Sequence, residues 1–320
     1  MDPDKREDSD SDSVGNTPPH CEYCAMHGSR CGDQQLVTTE IDVGMALVGC
    51  AAFECAFAVT GSIGVVLAQS GPYAPVSTPG EAFPMAPGQI TLRVRPENLH
   101  ASVIARSDGE RRELMVELSA FGGHPVHLVR VASEFDTLVM DGLARSAGEG
   151  LTENKQSLPQ VFIPWEEGDQ LGQIDAILDD GGEIRRELLP QYYAGPHPRW
   201  INERVLPAVF EHLCTTGLPL SVVVFAEGVA QAVTGFVHVA NTDARGRMSV
   251  GLGCASLDLE LTLVHEALLV RSHGPLGLTS AIELYDDRHH VLALLTQLGS
   301  VSPEVHRAWE LLAESLPDAE

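Results

Sequence analysis

The apolar positions of this chain fall mostly into short runs, alternating or continuous, broken by Gly, Asp and Asn at spacings of roughly ten residues. Such a pattern predicts the strands of an antiparallel sheet. Other stretches carry helical spacing instead. Ser133–Ser146 is one; 302–315 (SPEVHRAWELLAES) is another, with Ser302 as N-cap, Pro303 in the first turn, and Val305, Trp309 and Leu312 on one face. A further helical patch runs from Trp165 through Leu178, and again over Val205 to Cys214. The stretch Val43 to Ala68 is nearly all apolar and long enough to cross a bilayer, but Glu54 lies near its middle and Gly44, Gly49, Gly61 and Gly64 interrupt it. Its β-branched and small residues predict two consecutive core strands with a turn between them.

The pattern also repeats. Ala58-Val59-Thr60-Gly61 returns as Ala232-Val233-Thr234-Gly235, and Leu92–Gly109 returns as Leu259–Gly274, each closing on an Arg-Ser-x-Gly turn. Met115–Leu118 then pairs with Ala281–Leu284, and Val126–Val131 with Val291–Thr296. The order is kept throughout, which predicts a tandem duplication. The expected fold is α+β: a tandem pseudo-repeat of large antiparallel β-sheets with flanking helices. The expected organisation is an acidic tail over 1–36, a first repeat over 37–146 that begins almost at its sheet, a linker over 147–158 and a second repeat over 159–320 built as helices, sheet and closing helix.

Charge narrows the partners. The 320 residues carry 20 Lys+Arg against 45 Asp+Glu, a formal charge of −25. Phosphate binding needs a basic face, so nucleic acid is not an expected partner, and anionic membrane surfaces are disfavoured. Lys5 and Lys155 are the only lysines; the remaining cations are arginines, suited to anion clamping and equally expected from genomic composition. Residues 1–19 (MDPDKREDSDSDSVGNTPP) have no apolar core of a signal peptide, which predicts a cytoplasmic protein. Cys50, Cys55, Cys214 and Cys254 sit in apolar or Gly-rich runs and are expected as reduced, buried thiols. There is no nucleophile elbow, no Gly-rich phosphate loop and no His-Glu-x-x-His run, so hydrolase and nucleotide readings have no carrier.

One short segment has metal chemistry. Cys21, Cys24, His27 and Cys31 place a Cys-x-x-Cys turn beside two further ligands, a set that can close a tetrahedron on Zn²⁺. A redox thiol pair, a transient haem acceptor and an unstructured tail are the competing readings. Ala25 stands where a c-type haem attachment needs histidine.

Several weak motifs in order carry a resemblance. Gly228, Gln231, Thr234 and Gly235 form a Gly-x-x-Gln-x-x-Thr-Gly strand, Ile90–Arg93 an Ile-x-Leu-Arg strand, and Thr279, Ser280, Glu283 and Leu284 a Thr-Ser-x-x-Glu-Leu hairpin. Over about Ile41 to Leu316 the chain resembles the cytoplasmic haemin-degrading and haem-transport proteins of the HemS/ChuS type. The resemblance implies two stacked sheets with haem in a cleft between a helix and a sheet of the C-terminal half. It places Arg93 on the distal side of haem and Arg185 near the propionates. An arginine suits either task, through a hydrogen bond to an iron ligand or to a carboxylate. A strand-surface ion pair for Arg93 and a solvated helix end for Arg185 remain open. Gln231 reads as a structural hydrogen-bonder, His127 as a satisfied sheet residue, and His289-His290 as a solvated turn.

The departures from that pattern are specific. Counting seven residues from Trp165 to the axial-histidine position reaches Gly172, and the basic residues after the penultimate strand are replaced by Leu295-Thr296-Gln297-Leu298. Tyr192, Tyr193 and His197 are the alternative ligands in the following loop. The expected function is haem trafficking or haem degradation of an oxygenase-like kind, with haem or a related tetrapyrrole as ligand and a protein partner for hand-over. The alternative is a non-catalytic interaction or regulatory protein on the same scaffold that no longer ligates haem. A metal-sensing module in the tail is a third.

Overall fold

The computed structural model describes residues 35–107, 112–131, 133–146, 169–182, 186, 189, 198–299 and 301–319. Its strands are β1 (Gln35–Ile41), β2 (Ala56–Ser62), β3 (Val65–Gly71), β4 (Thr91–Val94), β5 (Leu99–Ser107), β6 (Arg112–Ala120), β7 (Pro125–Val131), β8 (Arg199–Ile201), β9 (Pro219–Ala226), β10 (Val229–Thr242), β11 (Arg247–Leu252), β12 (Ala255–Glu260), β13 (Glu266–Gly274), β14 (Gly277–Tyr285) and β15 (Val291–Thr296). The helices are α1 (Val43–Ala51), α2 (Glu134–Ser146), α3 (Gln170–Asp180), α4 (Leu206–Thr216) and α5 (Pro303–Glu314). The architecture is α+β with a large antiparallel sheet.

The strands form one path, β1-β5-β6-β7-β2-β3-β12-β11-β10-β9-β15-β14-β13-β8, with β4 paired to β10 beside it. β10 holds the path together. Its first part, Val229–Phe236, pairs with β9, and after an irregularity at Val237/Val239 its second part pairs with β11. The first half of the chain reaches the second through β3, which pairs with β12 from Val65↔Leu259 to Gln69↔Ala255. Gln35–Glu320 is accordingly a single compact unit.

The Val43–Ala68 segment departs from the paired-strand expectation in its first part. Asp42 accepts a hydrogen bond from Met45 N and starts α1, where Ala46, Gly49 and Cys50 are buried at helical spacing. The side-chain cap and a run poor in β-branched residues decide for helix over strand. Only the second part forms the expected hairpin, β2 with β3, closed by the two-residue turn Ile63-Gly64 with Gly64 at φ +97°. The first half thus also has a helix ahead of most of its sheet.

The Arg-Ser-x-Gly turn is corrected as well. Arg271–Gly274 lies within β13 and the reversal follows it, before Gly277. The Ala-Val-Thr-Gly match is out of phase with the topology: Ala58–Gly61 lies on the first strand of one hairpin and Ala232–Gly235 on the second strand of another. The β9–β10 hairpin turns at Glu227-Gly228, with Gly228 at φ +74°.

Ser302 caps α5 through Val305 N as expected, and Trp309 is fully buried, donating from Nε1 to Ser280 O at 2.8 Å. The β9 run Ser221–Ala226 is continuous rather than alternating because both faces are covered. Leu220, Val222 and Val224 pack with α4 and α5 residues, while Val223 and Phe225 pack with Ile174, Ile177 and Leu178 of α3. Among the described residues Cys50 is buried and Cys214 half-buried, but Cys55 and Cys254 are exposed, against the expectation for all four; none is in a disulfide. Among the described residues no helix is long and apolar enough to cross a membrane.

Candidate functional site

Arg93 is the centre of the site. Strand alternation on β4 turns its side chain away from Leu92 and Val94, which belong to the first-half core, and toward α3. It is completely buried, a costly place for a guanidinium unless its donors are filled. Four of its five N–H donors are filled. Nε and Nη2 donate to the two carboxylate oxygens of Asp175 on α3, the latter at 2.8 Å; Nη1 donates to Ser77 Oγ at 3.1 Å and to Glu81 O at 3.2 Å. The ring of Phe83 lies 5.6 Å below the guanidinium carbon. Gly80 N donates to Asp175 Oδ2 at 3.1 Å, so the segment joining β3 to β4 closes over the pair. One helical turn on, Asp179 pairs with Arg95, which follows β4 in extended conformation.

The other end of α3 is tied by a side-chain cap and by two glutamines. Asp169 caps it through Gly172 N at 2.7 Å, Gln170 Nε2 donates to Gln297 O at 2.6 Å, and Gln173 Nε2 donates to the buried Glu283 at 2.7 Å. Tyr285 OH donates to the second Glu283 oxygen at 2.6 Å. The uncharged Leu295–Leu298 stretch is therefore the surface on which the first turn of α3 docks, and it is buried throughout.

A second polar group lies where β2 faces β10. Tyr73 OH donates to His127 Nε2 at 2.8 Å, His127 Nδ1 donates to Thr60 Oγ1 at 2.6 Å, and Thr60 Oγ1 donates to Gln231 Oε1 at 2.6 Å. Gln231 Nε2 then donates to Gln69 Oε1 at 3.4 Å, and Gln69 Nε2 to Gln89 O at 2.8 Å. The terminal carbonyl can only accept, which fixes the direction of the chain back to a proton on His127 Nδ1; with the imidazole neutral, Nε2 accepts from Tyr73. Burial pushes the His127 pKa down to about 3, and burial followed by the charge of nearby Cys50 pushes the Tyr73 hydroxyl well above its ordinary range. His127 and Gln231 are thus structural hydrogen-bonders, as expected from the sequence.

Other candidates are dispersed or undescribed. Gly172 occupies the first turn of α3 and offers no ligand atom. His289 and His290 lie in the β14–β15 turn, His289 at φ +68°. Arg185, Trp165, Tyr192, Tyr193 and His197, and the whole Cys21, Cys24, His27, Cys31 cluster, lie outside the described residues. Among the described residues no group of His, Cys, Asp and Glu is arranged to hold a metal ion. Sequence reasoning missed Asp175, Asp179, Ser77 and Arg95. The signal was present: Asp175 and Asp179 are one helical turn apart, and Arg93 and Arg95 are two apart on an extended segment, so each pair shares a face.

Comparison with solved structures decides the fold. Holo-PhuS, a heme-binding protein from Pseudomonas aeruginosa, superposes with a TM-score of 0.69 at 20% identity, over 88% of this chain and 87% of that one. ChuS, an E. coli heme oxygenase, superposes with a TM-score of 0.69 at 16% identity, over 87% of this chain and 88% of that one. This chain has the PhuS/ChuS fold. No protein-family model matches the sequence, and no curated protein matches it. In the PhuS/ChuS fold of this chain, the helix α3 and the strand β4 meet directly, through Arg93 and Asp175.

Proposed function

We propose that the protein handles haem as cargo or substrate, in trafficking or in degradation. The observation that carries this reading is the likeness to PhuS and ChuS along nearly the whole of each chain, with Arg93 on the strand that faces α3. The residue at the position that the resemblance gives to the iron ligand does not fit a resident haem iron. Gly172 supplies no axial atom, and four donor contacts of Arg93 are already taken within the chain. Haem handled here is a transient ligand that enters when α3 parts from β4, with Arg93 then free to meet an anionic group. The cytoplasm is the proposed compartment, and a protein partner for hand-over follows from the cargo reading.

The duplicated organisation is part of the proposal. The segments 37–146 and 159–320 are read as copies, 147–158 as their linker and 1–36 as a tail able to bind Zn²⁺ through Cys21, Cys24, His27 and Cys31. Two strand orders support the copying: β5-β6-β7-β2-β3 parallels β13-β14-β15-β9-β10, with the turns at Gly64 and Gly228 in corresponding places. Haemin titration of the purified chain tests the main reading. A saturable Soret shift is expected; a flat titration up to about 50 micromolar overturns it. The Arg93–Asp175 pair and Gly172 favour one second reading, a scaffold that serves interaction or regulation without ligating haem, which that flat titration would support.

A further inference from the structure

Arg93 and Arg95 are arranged as a pair facing α3. Arg93 and Arg95 lie two residues apart on an extended segment, hence roughly 7 Å apart on one face. Asp175 and Asp179 are one turn apart on α3, roughly 6 Å along the helix. The two spacings match, so two carboxylates on the helix meet two guanidinium groups on the extended segment, and Arg95 Nη1 also reaches Glu97 Oε1 at 3.4 Å. Arg93 is wholly buried and Arg95 largely so, with side-chain exposures of 0% and 17%. A buried guanidinium without a counter-charge is strongly disfavoured, so the pair requires anions whatever supplies them. The complement is also incomplete: Arg95 Nε is buried with no hydrogen-bond partner among the described residues.

We propose that Arg93 and Arg95 form a site for a ligand bearing two carboxylates, and that Asp175 and Asp179 are internal stand-ins making α3 a latch that such a ligand displaces. The inference rests on the haem reading only for the identity of the diacid, since haem carries two propionates. α3 is also held by Gln170 to Gln297 O and Gln173 to Glu283 at its N-terminal end, by Val291 N donating to Gly181 O just past its C-terminal end, and by the packing of Ile174, Ile177 and Leu178; the two charged pairs are the ties that a ligand's carboxylates can replace. The acidic pair then sets affinity: it must be exchanged, carboxylate for carboxylate, before a ligand gains the arginines.

The test uses the full chain, its Asp179→Asn variant and the Asp175→Asn/Asp179→Asn double variant. The amides conserve shape, and the single variant leaves the buried Arg93 paired, guarding against loss of folding. The probes are haemin, protoporphyrin IX and protoporphyrin dimethyl ester, with amide hydrogen exchange of residues 170–180 as a readout needing no ligand. The expected result is at least a tenfold gain in affinity for protoporphyrin IX in the double variant, a smaller gain in Asp179→Asn, none for the diester, and faster exchange in α3. Equal affinities in all three proteins, or an equal gain for the diester, overturn the latch. If the unaltered chain binds neither haemin nor the diacid while the double variant binds both, the latch stands and the haem reading of the unaltered chain fails. If the unaltered chain binds haemin and the variants gain nothing, the reading survives and the latch is overturned. No binding by any of them overturns both.

Discussion

Two buried polar groups lie close together in this molecule and are built on opposite principles. The chain from Tyr73 through His127, Thr60, Gln231 and Gln69 to Gln89 O is neutral, directional and spread over both halves. The Arg93–Asp175 and Arg95–Asp179 pairs are charged and join one helix to one strand. A neutral chain with each internal link made carries a small desolvation cost and locks a single register. A buried ion pair contributes little net stability, yet leaves a large penalty if either partner goes. The first group thus holds the sheets; the second holds a helix on terms that another anion can meet.

The sharpest way to break the contrast is to remove one charge. Asp175→Ala leaves Arg93 buried and unpaired and is expected to cost about 3–5 kcal/mol in urea denaturation. Arg93→Met with Asp175→Leu should recover most of that loss. A double variant as unstable as the single one would mean that the pair is a net stabiliser. His127→Gln should cost less, about 1–3 kcal/mol, and should also flatten the acid side of the stability curve. His127 has a folded pKa of about 3 against an ordinary value of 6.5. Between those values the unfolded chain takes up a proton that the folded chain refuses, so stability falls as pH drops from 6.5 toward 3, by about 1.4 kcal/mol per unit at most from this group. Urea midpoints measured across that window for both proteins check the slope; identical slopes would remove His127 from the account.

Thr60→Val cuts the neutral chain at its middle and is expected to cost about 1–3 kcal/mol without changing the acid slope. Asp179→Asn, at a partly exposed pair, should cost less than about 1 kcal/mol. The smallest effect is chemical. Burial pushes the Cys50 thiol up to about 12, so a thiol reagent at pH 8 should label Cys55 and Cys254 and reach Cys50 only on unfolding. Rapid labelling of Cys50 in the native protein would show that α1 opens.

The same contrast explains what the sequence made legible. The strands β5, β6, β7, β13, β14 and β15 and the capped helix α5 could be located because each is specified locally, by alternation, turn residues and a Ser-Pro start. His127 and Gln231 were readable as structural residues for a similar reason, since each sits on a strand with an apolar surround. Val43–Ala51 was misread because apolar runs of small residues fit either state, and Asp42 as a cap decided the outcome. Cys55 and Cys254 were misjudged because local hydrophobicity does not reveal which strand end faces solvent. Asp175 and Arg93 are 82 residues apart in sequence. Each alone reads as an ordinary surface charge; only the topology that brings β4 against β10, under α3, makes them partners.

The β3–β12 pairing has a consequence for synthesis of the chain. A ribosome that has completed β3 and β4 has exposed one edge of β3 and the whole of β4, whose partners there, β12 and β10, are still untranslated. Unpaired edges recruit any extended segment that meets them, including those of neighbouring nascent chains. Folding must therefore wait for Ala255–Glu260 to emerge, and such long-range pairing is slow. Chains stopped before β12 should accumulate as aggregates rather than as half-sized proteins, which makes premature termination in this gene a loss of solubility before it is a loss of any site.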